Sequence, residues 1–309
     1  MSKIPLVHAM IDISVDWKAH LLVEYSKNFF SCEVRDGLVI DDNLWIMDDI
    51  IYYKGQILLV PESTFKTKVL QVCHDSPVPG HQGFIKTYRQ VWERFSWKGL
   101  KKYVMSHIKE CNTFQANKDE QTHPIRLLQP LPILEKTWES ISMDFIIGFP
   151  KVQGKDSIFL VVDRFLKFAH FFSIATDFNA AQVADLFFRE VFKLHGFPKT
   201  IVSDSDSSFM STFWQELFNI VGTTMTPSTI YHPQMDGQIE IVNKWVEGYL
   251  RNYVVGHQKP WVKWVHLREY YYNTTHHMSI DMPTFRALYR YDLLSFVEIS
   301  FEDSRAPMV

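Results

Sequence analysis

Beyond residue 137, the pattern of apolar and polar positions predicts an alternation of strands and helices. Apolar runs with β-branched residues predict strands, and apolar positions at helical spacing, such as Val242, Val246 and Tyr249, predict helices. In order, these patterns predict three strands, a helix, a strand, a helix, a strand and a helix, at 141–147, 157–162, 167–174, 179–194, 200–203, 213–220, 223–226 and from about 240. The mixture predicts an α/β domain.

The pattern is weaker towards the N-terminus. Alternation around 21–23 and 38–40 is compatible with strands, whereas two short runs joined at Lys54-Gly55 predict a hairpin over 50–61. Residues 86–108 read as mostly helical, and 123–132 as a proline-containing linker. Two further helices are predicted over 261–272 and 284–289.

Three carboxylates stand at positions where chemistry is expected. Asp144 lies inside a strand-like run, Asp204 follows the run 200–203, and Glu240 falls in the first turn of a predicted helix. A charge inside a strand is costly unless it is paired. One Asp from each of two strands and a Glu from a flanking helix can converge on two divalent cations, as phosphodiester chemistry requires. Oxygen-only ligands suit Mg²⁺ or Mn²⁺.

Four short motifs surround Asp204 and Glu240. They read Ile201-Val202-Ser203-Asp204, Tyr231-His232-Pro233-Gln234, Asp236-Gly237-Gln238 and Ile241-Val242-Asn243-Lys244. Together with the 35 residues between Asp204 and Glu240, they resemble the integrases of Ty3/Gypsy-type retrotransposons and of retroviruses. The resemblance covers residues 48–300.

This resemblance implies a ribonuclease H-like mixed five-stranded sheet flanked by helices, preceded by a small helical zinc-binding domain. The expected divisions are an N-terminal segment 1–47, a hairpin extension 48–66, a zinc-binding domain 67–120, a linker 121–136, a catalytic core 137–255 and C-terminal helices 256–309. The SH3-like domain that follows the core in this family is not expected within these residues.

The resemblance also implies an activity. The family's enzymes are polynucleotidyl transferases that trim the 3′ ends of element DNA with water and direct the new 3′-hydroxyl at a host phosphodiester. Asp144, Asp204 and Glu240 are the expected catalytic residues and the expected ligands of Mg²⁺ or Mn²⁺.

The family's zinc site has two histidines followed by Cys-x-x-Cys. Here His74 and His81 are separated by six residues, and Cys111 follows after another 29. Phe114 stands where the fourth ligand is expected, and a phenyl ring cannot bind zinc. Cys73 is a conceivable substitute, although it is adjacent to His74. Whether zinc binds weakly through three ligands, or not at all, is left open by the sequence.

DNA contacts are expected at two places. By the family's pattern, Gln238, Asn243 and Lys244 lie beside the catalytic residues. Lys98, Lys101 and Lys102 belong to the most basic stretch of the chain, which also contains Tyr88, Trp92 and Trp97. A solvated helix face is the alternative for the lysines. Asp163 is expected to serve a turn rather than a metal.

Composition changes this picture only slightly. The 309 residues are 46% hydrophobic and 15% aromatic, which is sufficient for two or three packed domains. Three cysteines and no apolar leader after Met1 predict a reducing compartment, and the integrase resemblance predicts the nucleus, or a cytoplasmic virus-like particle before nuclear entry. A net charge of −3 means that DNA binding requires local basic patches. A homo-oligomer without membrane attachment is expected.

Two other functions remain open. The chain is compatible with a catalytically inactive transposon remnant that binds DNA or a partner, since Phe114, Ser205 and Ser208 depart from the family's pattern. A ribonuclease H shares the expected fold but has no reason to carry His74, His81 and Cys111.

Overall fold

The computed structural model describes residues 17–76, 78–116, 134–203, 222–227, 242–244, 246–248 and 261–293. The chain divides into two compact units. The first takes residues 1–118 and 294–309, and the second takes residues 119–293. Helices and strands occur in both, so the mixed α/β class is confirmed. Within the described ranges, no helix has both the length and the apolar character needed to cross a membrane.

The first unit contains a four-stranded sheet in the order β1-β2-β3-β4. The strands are β1 (Leu44–Met47), β2 (Ile50–Tyr53), β3 (Gln56–Leu58) and β4 (Phe95–Ser96). The first three are antiparallel neighbours, whereas β4 runs parallel to β3. Lys54 and Gly55, between β2 and β3, have φ of 51° and 82°. Two positive φ values in a two-residue turn match the twist of the strands, and the predicted hairpin is confirmed.

Six helices accompany this sheet in the described part of the first unit. They are α1 (Trp17–Lys27), α2 (Phe29–Arg35), α3 (Phe65–Leu70), α4 (Phe84–Trp92), α5 (Leu100–Glu110) and α6 (Asn112–Ala116). A π-helical turn, Gln71–Asp75, continues α3. In α5, Leu100, Val104 and Ile108 are buried at four-residue spacing, so one face packs inward and the other meets solvent.

The two possible N-terminal strands are wrong. Residues 21–23 lie in α1, where Trp17, Leu21 and Tyr25 are buried at the spacing of a helix. Residues 38–40 lie outside the helices and strands, and the Leu38 and Ile40 side chains are exposed. Three-residue apolar runs are too short to separate strand from helix or loop.

Aromatic side chains join the helices of the first unit to its sheet. The ring of Phe65, in α3, lies 6.3 Å from the ring of Trp17 and 6.2 Å from that of Phe95 in β4. The Tyr25 hydroxyl donates a hydrogen bond to the Leu58 carbonyl oxygen at 2.6 Å. Residues from before and after 61 therefore share one core.

The second unit is built on a five-stranded sheet in the order β7-β6-β5-β8-β9. The strands are β5 (Ser140–Ile146), β6 (Ser157–Asp163), β7 (Ala169–Ile174), β8 (Thr200–Ser203) and β9 (Thr224–Pro227). β5, β6 and β7 are antiparallel neighbours, while β8 runs parallel to both β5 and β9. β5 is therefore the central strand, and Met143 pairs in register with Ser203 of β8.

Helices pack on both faces of this sheet. The described helices are α7 (Ala180–Phe187), α8 (Lys193–His195), α9 (Val265–Thr274) and α10 (Thr284–Tyr289), with a π-helical turn (Phe188–Phe192) before α8 and a 3-10 turn (Trp261–Trp264) before α9. Residues 242–244 and 246–248 are also helical. A short two-stranded sheet, β10 (His276–His277) and β11 (Met282–Pro283), precedes α10. The helices predicted over 179–194, 261–272 and 284–289 are confirmed.

Alternation along β6 builds two hydrophobic cores. Phe159 and Val161 pack with α7 residues such as Phe187. Ile158, Leu160 and Val162 point to the opposite face and pack with a second cluster. That cluster includes Val242, Val246, Trp261, Val265 and Tyr272. The sheet is thus the middle layer of three.

Helix α9 also covers the edge of the sheet at β7. The Asn273 side chain accepts a hydrogen bond from the Ala169 N–H and donates one to the Ala169 carbonyl. Glu269 accepts from the Phe171 N–H at 2.9 Å. These side chains take the place of a neighbouring strand, because an edge strand otherwise leaves its backbone groups unpaired.

Candidate functional site

Three predicted zinc ligands come together in the first unit. His74 lies in the π-helical turn after α3, His81 in the loop before α4, and Cys111 directly after α5. One ligand atom from each of these residues, with one from Asp75, lies within 4.8 Å of all the others. The structure therefore groups the three predicted residues and adds a fourth, Asp75, which sequence reasoning missed.

His74 presents one ring nitrogen without a hydrogen-bond partner. Its side chain is fully buried, and Nε2 makes no hydrogen bond. Nδ1 lies 3.4 Å from the Thr87 hydroxyl, which donates its single hydrogen to the Gln82 carbonyl. In the tautomer with its proton on Nδ1, this nitrogen donates to the hydroxyl and Nε2 carries the free lone pair. Burial, together with neighbouring histidines, lowers the pKa of His74 to about 4, so the ring is neutral at pH 7.

His81 and Cys111 are in direct contact. His81 Nδ1 lies 3.2 Å from Cys111 Sγ. The His81 backbone has φ of 54°, an uncommon conformation for a residue with a side chain, and its N–H donates to the His74 carbonyl at 2.9 Å. Burial lowers the pKa of His81, which favours the neutral ring that a metal ligand requires.

Asp75 is held by a histidine that lies outside the four-residue group. Its two carboxylate oxygens lie 3.0 and 3.1 Å from His107 Nε2. This hydrogen bond is the largest cause of the raised pKa of His107. Asp75 escaped the sequence analysis because it is adjacent to His74, the same reason that made Cys73 an unattractive ligand.

The two remaining residues of the predicted site do not provide ligands. Cys73 is fully buried, and its sulfur is not among the grouped ligand atoms, so the structure does not support it as the fourth ligand. The Phe114 ring lies 6.4 Å from the His74 ring and packs against Gly83. The Phe114 N–H points to Cys111 Sγ at 3.4 Å.

The predicted basic patch is exposed. Lys98, Lys101 and Lys102 lie around the start of α5, and all three side chains face solvent. No acidic residue occupies the first turn of α5. Cations at a helix N-terminus oppose the helix dipole, so this placement gains nothing for helix stability.

In the second unit, Asp144 stands on the central strand near its end. Its side chain is half-buried. Oδ1 accepts a hydrogen bond from the Phe145 N–H at 2.8 Å, and Oδ2 accepts one from the Asn243 side-chain amide. Asp144 follows Met143, the register partner of Ser203, and Asp204 is the next residue after Ser203.

The contact with Asp144 defines the position of the helical residues 242–244. Val242 is buried in the core on one face of the sheet, Asn243 is half-buried at Asp144, and Lys244 is exposed. Asn243 is three residues after Glu240 in the sequence. Asp204, Glu240 and Gln238 themselves lie outside the described residues.

Asp163, at the end of β6, has a role in a turn. Its carboxylate accepts hydrogen bonds from the backbone N–H groups of Trp138, Phe165 and Leu166 at 3.1, 3.3 and 2.9 Å. The side chain is fully buried, and burial raises its pKa. The interpretation of Asp163 as a turn residue is confirmed.

Comparisons with known proteins agree with this arrangement. The family described as integrase zinc binding domain matches residues 61–120. The Transposon Tf2-3 and Tf2-4 polyproteins of Schizosaccharomyces pombe (strain 972 / ATCC 24843) are each 33% identical over 298 residues. The match covers 95% of this chain, which spans 22% of the length of each relative.

Solved structures give a weaker likeness. The HTLV-2 integrase catalytic core domain in complex with magnesium, in its trimeric form, is 14% identical with a TM-score of 0.37 and covers 47% of this chain and 93% of its own. The dimeric form is 16% identical with a TM-score of 0.38, over 48% and 94%. By sequence, the chain resembles the integrase region, zinc-binding domain plus catalytic core, of Tf2-like (Ty3/Gypsy) retrotransposon polyproteins.

Proposed function

We propose that this chain catalyses the metal-dependent processing of element DNA 3′ ends and their strand transfer into host DNA. The observation that carries the proposal is the hydrogen bond from Asn243 to Asp144. It brings the segment that follows Glu240 to the central strand, beside the strand that leads to Asp204. Asp144, Ser203 and Asn243, which are far apart in sequence, thus lie near one another, and this supports the proposal.

The residues at this place suit a hard divalent cation. Asp144 offers carboxylate oxygens at the surface of the sheet, and Asp204 and Glu240 would offer four more. Such oxygen sets bind Mg²⁺ or Mn²⁺. When bound, a pair of these ions supplies an activated attacking oxygen and stabilises the leaving oxygen. Asn243 holds one oxygen of Asp144 in a fixed orientation, as partners of metal-ligating carboxylates do.

In each of the two proposed steps, one oxygen replaces another on a phosphorus atom. In the first, water attacks a phosphodiester near the element end, the bond to the 3′ oxygen breaks, and that oxygen takes up a proton. In the second, the resulting 3′-hydroxyl loses its proton and attacks a host phosphodiester, whose own 3′ oxygen leaves. One phosphodiester replaces another in strand transfer, so no nucleotide cofactor is needed.

The strand arrangement supports a ribonuclease H-like core. Three antiparallel strands followed by a helix and two parallel strands lie between helices, with Asp144 on the central β5. We assign residues 137–255 to this core and residues 67–120 to the zinc-binding domain, preceded by the hairpin extension. In that domain, His74, His81 and Cys111 would hold a zinc ion that cross-links α3, α4 and α5 rather than takes part in the reaction.

DNA is the proposed partner of two exposed surfaces. Lys98, Lys101 and Lys102 form one, and Lys244, beside Asp144, belongs to the other. Exposed lysines contribute the salt-dependent, sequence-independent part of DNA affinity. We further propose a homo-oligomer that acts in the nucleus, after passage through a cytoplasmic particle.

Strand transfer of a short duplex that mimics the element end tests the proposal. The protein is compared with Glu240→Gln and with Asp177→Asn, a matched loss of one exposed carboxylate elsewhere in the second unit. We expect activity with Mg²⁺ or Mn²⁺ in the protein and in Asp177→Asn, and a loss of at least about 100-fold in Glu240→Gln.

Three results would contradict the proposal. Equal activity of Glu240→Gln and the protein would remove Glu240 from the reaction. Folded, DNA-binding protein without activity would favour the alternative of an inactive remnant. Cleavage of the RNA strand of a hybrid, without strand transfer, would instead favour a ribonuclease H.

A further inference from the structure

Phe114 occupies the sequence position of the fourth zinc ligand and cannot bind zinc. The Asp75 carboxylate lies close to the other three candidate ligands. We infer that Asp75 is the fourth ligand of a zinc-class ion held by His74, His81 and Cys111. The inference rests on the proposed role of this domain and adds a residue that the His-His-Cys-Cys pattern does not contain.

The four candidate ligand atoms lie close to one another. Ligands of tetrahedral zinc lie about 2.0–2.3 Å from the ion, and therefore roughly 3.3–3.8 Å from one another. His81 and Cys111 are already 3.2 Å apart, and all four ligand atoms lie within 4.8 Å. A contraction of about 1 Å at the widest pair brings the group to this geometry.

The buried His74 ring has one nitrogen, Nε2, without a hydrogen-bond partner. A fully buried polar atom without a hydrogen bond is rare, because its desolvation is not compensated. His74 belongs to the same four-residue group as Asp75, and the tautomer with its proton on Nδ1, the nitrogen that faces Thr87, leaves Nε2 free to bind. A cation at the centre of the group gives this nitrogen its partner.

The Asp75 carboxylate is itself oriented by a hydrogen bond from His107. Ligating carboxylates are themselves commonly hydrogen-bonded, which fixes their orientation. His107 does this for Asp75 from α5, whereas the exposed Glu110, next to Cys111, is outside the group. Asp75 is the last residue of a π-helical turn, a local widening of the helix that is frequent at functional sites.

Charge balance favours a carboxylate over three ligands and water. Two neutral histidines, one thiolate and one carboxylate neutralise a divalent cation, as two thiolates would. Three protein ligands alone leave one positive charge in a half-buried site lined by Phe114, and burial of an unpaired charge is costly. A carboxylate is a harder ligand than a thiolate, so we expect the site to bind Zn²⁺ and Co²⁺ with a weaker preference for soft cations.

Metal titration of the full chain tests the inference. Zn²⁺ affinity and the Co²⁺ absorption spectrum are measured under reducing conditions for the protein, Asp75→Asn, Phe114→Cys and the double variant. Glu110→Gln is the control, since it removes an exposed carboxylate of the same unit. We expect Asp75→Asn to weaken Zn²⁺ binding by about 100-fold or more and to change the Co²⁺ spectrum, and Glu110→Gln to do neither.

The double variant separates this inference from a three-ligand site. If Asp75 is a ligand, adding Phe114→Cys to the Asp75→Asn variant restores its tight Zn²⁺ binding. Phe114→Cys alone then changes the Zn²⁺ affinity of the otherwise unaltered protein much less. If the site has only three ligands, Asp75→Asn binds as the protein does and Phe114→Cys tightens both equally. The latter result, or the absence of metal binding by the unaltered protein, overturns the inference.

These readouts do not depend on strand transfer. A chain that binds Zn²⁺ through Asp75 but lacks activity would refute the proposed function and leave this inference standing. Strand-transfer activity together with a Zn²⁺ affinity that is unchanged in Asp75→Asn would support the proposed function and overturn this inference. Circular dichroism of Asp75→Asn shows whether the variant is folded, and the rescue by Phe114→Cys tests the site in that background.

Discussion

At the scale of single residues, similar carboxylates have different roles because their partners differ. Asp144 accepts from a side-chain amide at the surface of the sheet, and Asp75 lies among histidines and a thiol. Asp163, in contrast, is fully buried among backbone N–H groups. A carboxylate whose oxygens are all engaged by backbone donors is suited to hold a turn and not to bind an ion.

Asp163→Asn should therefore destabilise the second unit without touching the proposed chemistry. The substitution is isosteric, but it places an amide N–H group against a backbone N–H such as that of Leu166. An unsatisfied buried donor costs about 1–3 kcal/mol, which corresponds to a fall in Tm of roughly 2–12 °C for a domain of this size. Thermal melts followed by circular dichroism measure it. A Tm equal to that of the surface variant Asp177→Asn would contradict the turn role.

The site residues were predictable to different extents. Asp144 could be singled out because a charge inside a strand-like run needs a reason. His74, His81 and Cys111 stood out through their spacing. Asp75 could not be found this way, since its proximity to Cys111 depends on the π-helical turn and on the packing of α5, neither of which leaves a periodic trace in the sequence.

At the scale of elements, local signals were sufficient where the element is defined locally. The hairpin follows from Lys54-Gly55, and α7 begins at Asn179, whose side chain caps the helix together with Gln182. The sequence did not predict α1. Its buried residues are four apart, as in a helix, but the same segment also contains a short apolar run that resembles a strand. The parallel pairing of β3 with β4 joins residues almost 40 positions apart and has no local signal.

Between elements, β7, α8 and α9 meet through two histidines. His170 Nδ1 donates to Glu269 at 2.8 Å, and its Nε2 lies 3.0 Å from His195 Nε2. The His195 ring stacks on Trp138 with centroids 3.6 Å apart. If both rings carried two protons, two N–H groups would face each other. Burial, and then the charge of His170, lower the pKa of His195 to about 3.

Acid should loosen this junction. A histidine whose folded-state pKa is depressed binds more protons when unfolded, so stability is complete above about pH 6.5 and is lost as the pH falls towards 3. His195→Gln retains a donor for His170 but does not titrate in this range. We expect its fall in Tm between pH 7.5 and 5.0 to be smaller than that of the protein. His266→Gln, an exposed histidine in α9, is the control and should not differ from the protein. An equal fall in Tm in the protein, His195→Gln and His266→Gln would show that His195 does not cause the acid sensitivity.

At the scale of the whole molecule, the charge distribution matters more than the total. The net charge is −3, yet Lys98, Lys101 and Lys102 are exposed together at the start of α5. The composition shows no excess of positive charge, whereas the structure exposes these three cations around the start of one helix. Local potential, and not net charge, decides contact with a phosphate backbone.

The double substitution Lys101→Gln/Lys102→Gln should weaken DNA binding in a salt-dependent manner. Each phosphate contact that is lost makes the slope of log K against log[salt] less negative by about 0.9. Two contacts predict a change of about 1.8, measured by fluorescence anisotropy with duplex DNA. The control Lys68→Gln/Lys151→Gln removes two exposed lysines elsewhere and the same charge. Equal slopes for both double variants would indicate that the patch is a solvated helix face.

The parallel pairing of β3 with β4 determines which segment of the first unit can be exchanged between proteins by recombination or grafting. β4 lies between α4 and α5, inside the stretch that matches the zinc-binding family, but its hydrogen-bonding partner precedes residue 61. A recombination breakpoint at 61 would separate Phe95 from the sheet and leave the backbone of β4 unpaired. The smallest segment of the first unit that folds after transfer to another protein is therefore expected to include β1–β3. A graft that carries only the residues from 61 onwards, with the zinc ligands, should misfold.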